Sequence, residues 1–151
     1  KGRIVDIPCQ LHDIAATSLA IGSYEKPSGM IDSCNLLDDH SLNQRGYAVC
    51  MHRNSSIGHG GYYDPELHVS MWRQDNYKLN IYHSPAPGPN DCPGELFNLD
   101  DDVGEMNNLW FSERHRDIRD QLVHRLTTFL VKQDSKGRVT MEQALPPEFK
   151  H

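Results

Sequence analysis

LHVSMWRQDNYKLNIYH, residues 67–83, is the stretch that decides the fold. Leu67, Val69 and Met71 alternate at period two, which is the spacing of a half-buried strand. Gln74-Asp75-Asn76 supplies a tight polar turn. Beyond it Tyr77, Leu79 and Ile81 alternate again. Two such runs joined by so short a turn read as an antiparallel hairpin.

Working outward, RGYAVCMHR (45–53) places Tyr47, Val49 and Met51 on one face and reads as another strand. SPAPGPNDCPG (84–94) is too rich in proline for sheet. GELFNL (94–99) follows as a fourth strand. Ser112 then caps a long helix, SERHRDIRDQLVHRLTTFLVKQ, residues 112–133. Its Ile118, Leu122, Leu126, Phe129 and Leu130 make one apolar stripe. Lys132 and Lys136 suit the C-terminal end of the helix dipole, and Gly137 can end the helix. The fold class is therefore α+β: about four antiparallel strands with one long amphipathic C-terminal helix on one face. Ala48, Cys50, His52, Ser70 and Trp72 point away from the first face, a mixed surface suited to meeting another body.

Upstream, Arg3 to Ile7 alternates weakly up to Pro8 and reads as a short strand. LHDIAATSLAIG (11–22) reads as a helix that Asp13 caps and Gly22 ends. Residues 23–44 read as loop. The division is thus 1–44 against 45–151.

The chain has 151 residues, enough for one domain, and a formal net charge of -6, which gives no footprint for nucleic acid. Basic residues gather in ERHRDIRDQLVHR, but acids interrupt them and the run reads as a solvated helix face. No apolar run approaches the roughly 18 residues that a membrane span requires. KGRIVDIPCQ holds no signal-peptide core. A start in what reads as mid-strand suggests a piece of something longer, so periplasmic, secreted and cytoplasmic locations all stay open. Cys9, Cys34, Cys50 and Cys92 form no C-x-x-C pair; they read as buried free thiols, with a single disulfide as the alternative. Asn54-Ser55-Ser56 fits a glycosylation sequon, a pattern that arises often by chance.

Four acids, Asp100, Asp101, Asp102 and Glu105, invite a metal reading. An EF-hand needs glycine at position 6 and a carboxylate at 12. Starting at Asn98 puts Val103 and Leu109 there; starting at Asp100 puts Gly104 at position 5. Both registers fail, and the stretch reads as an Asx-type turn. The nine histidines make no His-Glu-x-x-His pair and no Cys/His cluster. His115 and His124 read as helix-surface residues. IGHGGYYD (57–64) is the best local candidate for ligand contact: glycines 58, 60 and 61 free the backbone around His59, and Tyr62 and Tyr63 offer aromatic surface with hydroxyl tips. Its alternative is a plain hairpin loop. There is no G-x-S-x-G, P-loop or G-x-G-x-x-G, so no catalytic residue and no metal ligand is nominated.

Two stretches together resemble the C-terminal part of the sulfatase family, in the alkaline-phosphatase superfamily. IPCQLHDIAATSLAIGSYEKPSG is similar to the family's V-x-x-x-D-I-A-P-T-L-L-x-x-A-G-x-x-x-P, matching at Asp13, Ile14, Ala15, Thr17, Leu19, Gly22 and Pro27. WRQDNYKLNIYH…GELFNLDDDVGEMNNLW is similar to R-x-x-x-Y-K-L-I-x-Y followed by G-E-L-Y-D-L-x-x-D-P-x-E-x-x-N-L. There Arg73, Tyr77, Lys78, Leu79, Tyr82, Gly94, Glu95, Leu96, Leu99, Asp102, Glu105, Asn108 and Leu109 match. Ala16 and Val103 stand where the family has proline. The family's C/S-x-P-x-R motif is absent: Cys9, Cys34, Cys50 and Cys92 are followed by Gln-Leu, Asn-Leu, Met-His and Pro-Gly.

The resemblance implies that residues 1–44 end a catalytic-domain region and that 45–151 form the C-terminal sheet-and-helix subdomain. It implies a hydrolase of sulfuric esters whose calcium and formylglycine belong to an N-terminal catalytic domain. That domain would be the partner, a sulfated small molecule or sugar the substrate, and this chain inactive alone. A phosphonate or phosphate monoester hydrolase of the same superfamily and a non-enzymatic carbohydrate-binding module are the alternatives.

Overall fold

The computed structural model describes residues 4–27, 30, 32–53, 64–83 and 88–136. Among these described residues three α-helices and four strands follow in order: α1 (Leu11–Ile21), α2 (Asp39–Arg45), β1 (Tyr47–Arg53), β2 (His68–Gln74), β3 (Tyr77–His83), β4 (Gly94–Asn98) and α3 (Arg116–Lys136). Short 3-10 turns lie at Pro89–Asp91 and Glu113–His115. The strands form one antiparallel sheet in the order β1-β2-β3-β4. The expected α+β sheet with a long C-terminal helix is what forms. Among the described residues no helix is long and apolar enough to cross a membrane.

The hairpin forms where expected. Gln74 pairs with Tyr77, and Asp75 takes the positive φ of 50° that closes a two-residue turn. That register settles which side of β2 faces inward. Directly opposed residues share a face, so inward Tyr77 and Leu79 bring Gln74 and Trp72 with them. Val49, Trp72, Leu79 and Leu96 lie in one row across four strands. The expectation that Ser70 and Trp72 point away is therefore overturned. Trp72 is a core residue and Ser70 is fully buried on the same side, whereas Val69 and Met71 take the opposite face.

α3 covers this row. Leu79, Leu96, Leu122 and Leu126 are fully buried, each gaining about 1.5–3 kcal/mol by leaving water. Ile118, Phe129 and Leu130 pack around them, as the stripe predicts. Tyr47 stacks on Trp72 with centroids 4.2 Å apart, and Phe129 meets both rings edge-on at 6.0 Å. Gly94 lets Trp110 close over β4: a Cβ there would stand 2.2 Å from the indole Cζ3. The α3 backbone begins later than expected. Ser112 opens the 3-10 turn, its Oγ 2.8 Å from His115 Nδ1, and gives no side-chain cap. Gly137 lies outside the described residues.

The N-terminal part differs more. Residues 4–10 form no strand. Asp13 does cap the start of α1, from the third helical position: Gln10 is the N-cap residue and Asp13 completes a capping box by accepting the Gln10 amide at 2.7 Å. Residues 39–45, expected as loop, are α2. Asp38 caps it by accepting from the His40 amide, and Gly46 ends it in the left-handed region at φ 61°. Those signals stand in the sequence, but seven residues carry too little periodicity to announce a helix. All four cysteines are free, yet only Cys92 is buried; Cys9 and Cys50 are exposed.

Candidate functional site at the Arg53–His68–His83 end of the sheet

His59, Tyr62 and Tyr63, nominated from the sequence as substrate-binding, lie outside the described residues, as does the Asn54 sequon. The two strand ends that flank their segment are described. β1 stops at Arg53 and β2 starts at His68. Arg53, His68 and His83 are opposed across three strands in one row, on the side that faces α3. Two pleats further in, the same face is Val49, Trp72 and Leu79. The apolar row becomes a basic row because the strands run past the helix-covered core.

His83 Nε2 lies 3.0 Å from the Oγ of buried Ser70. Burial, then the charges of Arg53 and His68, holds its pKa below the ordinary value. His68 Nε2 lies 3.3 Å from the exposed Glu66 carboxylate. Arg53 is exposed and its Nη2 points to Met51 Sδ at 3.2 Å. Chemically the row holds a guanidinium and two imidazoles, with both Nε2 atoms already engaged by Glu66 and Ser70.

The opposite face carries a different set. Glu95 accepts from Asn80 Nδ2 at 2.9 Å and from the Tyr82 hydroxyl at 2.8 Å. Burial and that carboxylate push the Tyr82 phenol far up, so it stays protonated. Arg73 has a buried Nη1 without a hydrogen-bond partner among the described residues.

The acidic stretch proves to be a turn, as expected. Asp102 accepts from the amides of Met106 and Asn107 at 3.0 and 2.8 Å, and these bonds lower its pKa. Glu105 is engaged by Lys78 at 2.6 Å, and Asp101 accepts from Asn98 Nδ2 at 2.7 Å. Among the described residues no three His, Cys, Asp or Glu side chains converge as a metal site would require. No step through calcium is assigned to this chain's described residues.

A buried ion pair ties α1 to α2. Asp13 Oδ1 lies 2.7 Å from Arg45 Nη1, and it also accepts the Cys34 amide at 2.8 Å. Burial alone would raise the Asp13 pKa; Arg45 and the amides of Cys34 and Gln10 bring it below the ordinary value. Arg45 Nη2 in turn donates to the Pro8 carbonyl at 3.0 Å. This set is structural, and sequence reading took Asp13 only as a cap. The basic row also escaped it, because its members are 15 residues or more apart along the chain, and only strand register joins them.

A four-stranded antiparallel meander under one long helix is the class that this geometry defines. No family model matches the chain, and no curated protein matches it. Solved structures do share its fold. One is a protein assigned as a sulfatase from Bacteroides thetaiotaomicron VPI-5482, at 17% identity and a TM-score of 0.59, over 92% of this chain and 28% of that one. Another, designated with the suffix "sulf", comes from the locus by which Bacteroides thetaiotaomicron metabolises multiple glycosaminoglycans; the values are 20%, 0.50, 78% and 24%. The chain thus has a fold found within sulfatase structures and spans about a quarter of their length.

Proposed function

We propose that this chain is the C-terminal part of a sulfuric ester hydrolase and packs against a larger catalytic domain. The observation that carries the reading is the fold shared over 92% of this chain with only 28% of a sulfatase chain. The surface of α1 supports it. Leu11, Ile14 and Ile21 lie on one helical face and are 85%, 54% and 70% exposed, with Tyr24 at 72% beside them. An apolar face of that kind suits burial against another body. The docking side would therefore centre on α1, because Trp72, placed by the sequence on an interface, is spent in the core.

In this reading calcium and formylglycine belong to the catalytic domain and supply the electrophilic and nucleophilic chemistry of sulfate-ester cleavage. The present chain contributes recognition. Residues 54–63, with His59, Tyr62 and Tyr63, would line the substrate pocket and help select the alcohol or sugar, and the chain alone would be inactive. An aryl-sulfate assay of the isolated chain beside its full-length parent tests this. Turnover by the parent alone is expected; turnover by the isolated chain, or none by the parent, overturns the reading.

A further inference from the structure

A cleft of about 460 Å³ opens between α3 and the strand ends where β1 begins and β2 stops. That volume lies within the range of small-molecule sites. Register and helical spacing build it. Tyr47 is opposed to Gln74, and Trp72 lies two residues along on the same face. On α3, His124, Thr128 and Lys132 fall at i, i+4 and i+8, with Arg125 and Phe129 beside them. The floor is aromatic: Tyr47 stacks on Trp72, and Phe129 closes on both rings edge-on.

The rim is basic. Among the described residues that line the cleft, Arg45, His124, Arg125 and Lys132 are basic and none is acidic, although the chain carries a net charge of -6. Arg45 is already paired with Asp13. Arg125 is half-buried and, among the described residues, makes no hydrogen bond or ion pair. Partly withdrawn from water without a partner, its guanidinium has most to gain from an incoming anion. Its fork matches the two oxygens of a carboxylate. A flat apolar body resting on the aromatic floor would carry such a group to the rim.

From this cleft we infer that the protein binds a small aromatic carboxylate, its ring against Tyr47 and Phe129 and its carboxylate on Arg125. The inference goes beyond the reading above and does not rest on it.

The test is a titration of the 151-residue chain with 2-naphthoate at constant ionic strength, followed through the indole N–H and backbone amide signals. Trp72 belongs to the cleft and Trp110 lies over Gly94 on β4, so the second indole is an internal control. Saturable shifts at Trp72 and at the amides of residues 124–132, with Trp110 unmoved, are expected. 2-Naphthylmethanol keeps the ring without the charge, and acetate keeps the charge without the ring. Each should bind about tenfold more weakly or worse. Arg125→Gln should weaken 2-naphthoate binding about tenfold, and Lys132→Gln, at an exposed position, about threefold. A matching amide spectrum checks that each variant is folded. Shifts that do not saturate, that acetate or 2-naphthylmethanol reproduces at equal concentration, or that persist unchanged in either folded variant would overturn the inference.

Discussion

The protein holds charge in two contrasting ways. At Asp13–Arg45 the side chains are 0% and 5% exposed, and the carboxylate is satisfied by a guanidinium and two amides. At Arg53–His68–His83 a guanidinium and two imidazoles stand side by side near a sheet margin, each turned to a separate neighbour: Met51, Glu66 and Ser70. The first arrangement holds α1 and α2 together. The second joins neighbouring strands through weaker contacts, of which the bond between His83 and buried Ser70 is the best enclosed.

Asp13→Ala is the sharpest way to break the contrast. It leaves Arg45 buried without its counter-charge, and a loss of about 3–5 kcal/mol is expected in urea unfolding. A loss under about 1 kcal/mol would mean that the pair is not spent on structure. The same carboxyl predicts an acid response. Its folded pKa lies below 3.8, so the stability it brings is complete above that value and disappears as pH falls through the lower folded value. Unfolding followed between neutral pH and pH 2 should show this, and Asp13→Asn should flatten it.

Gly94→Ala tests the covered part of the sheet. The added methyl must displace Trp110, at a cost of about 1–3 kcal/mol in the same measurement.

At the basic row the effects are smaller. Arg53→Gln, at an exposed position, should change stability by less than about 0.5 kcal/mol. A larger decrease would show that Arg53 has a structural task. His83 adds a pH signature. With its folded pKa below 6.5, its contribution is full above pH 6.5 and declines as pH falls from there, since the unfolded chain takes the proton first. His83→Gln should erase that slope. The smallest effect belongs to the acidic turn: Asp101→Asn, at an exposed position, should stay within about 0.5 kcal/mol and leave metal content of the full-length parent unchanged.

Much of the frame was legible locally. The Asp75-Asn76 turn, the alternation of β1 and β3, the α3 stripe and the Asx-type turn at Asp102 each rest on contacts within a few residues. The reading of β2 went wrong because HVSMW is apolar on both faces. Val69 and Met71 alternate as regularly as Ser70 and Trp72, and periodicity alone cannot choose between them. The turn could have chosen, since Gln74 opposite Tyr77 forces Trp72 beside Leu79. α2 was missed because its signals, Asp38 and Gly46, are single residues around a short span. For the site, the sequence pointed to His59, Tyr62 and Tyr63, a glycine-rich segment outside the described residues, and missed its strand-borne neighbours.

By itself, then, the sequence determined what short-range chemistry determines: where strands turn, which helix face is apolar, and which acids close a turn. Tertiary structure alone assembled Asp13 with Arg45, 32 residues apart, and Arg53 with His68 and His83. The physical reason is that charge acts through space. Pairing and repulsion depend on register and burial, and both exist only once the sheet has formed beneath α3.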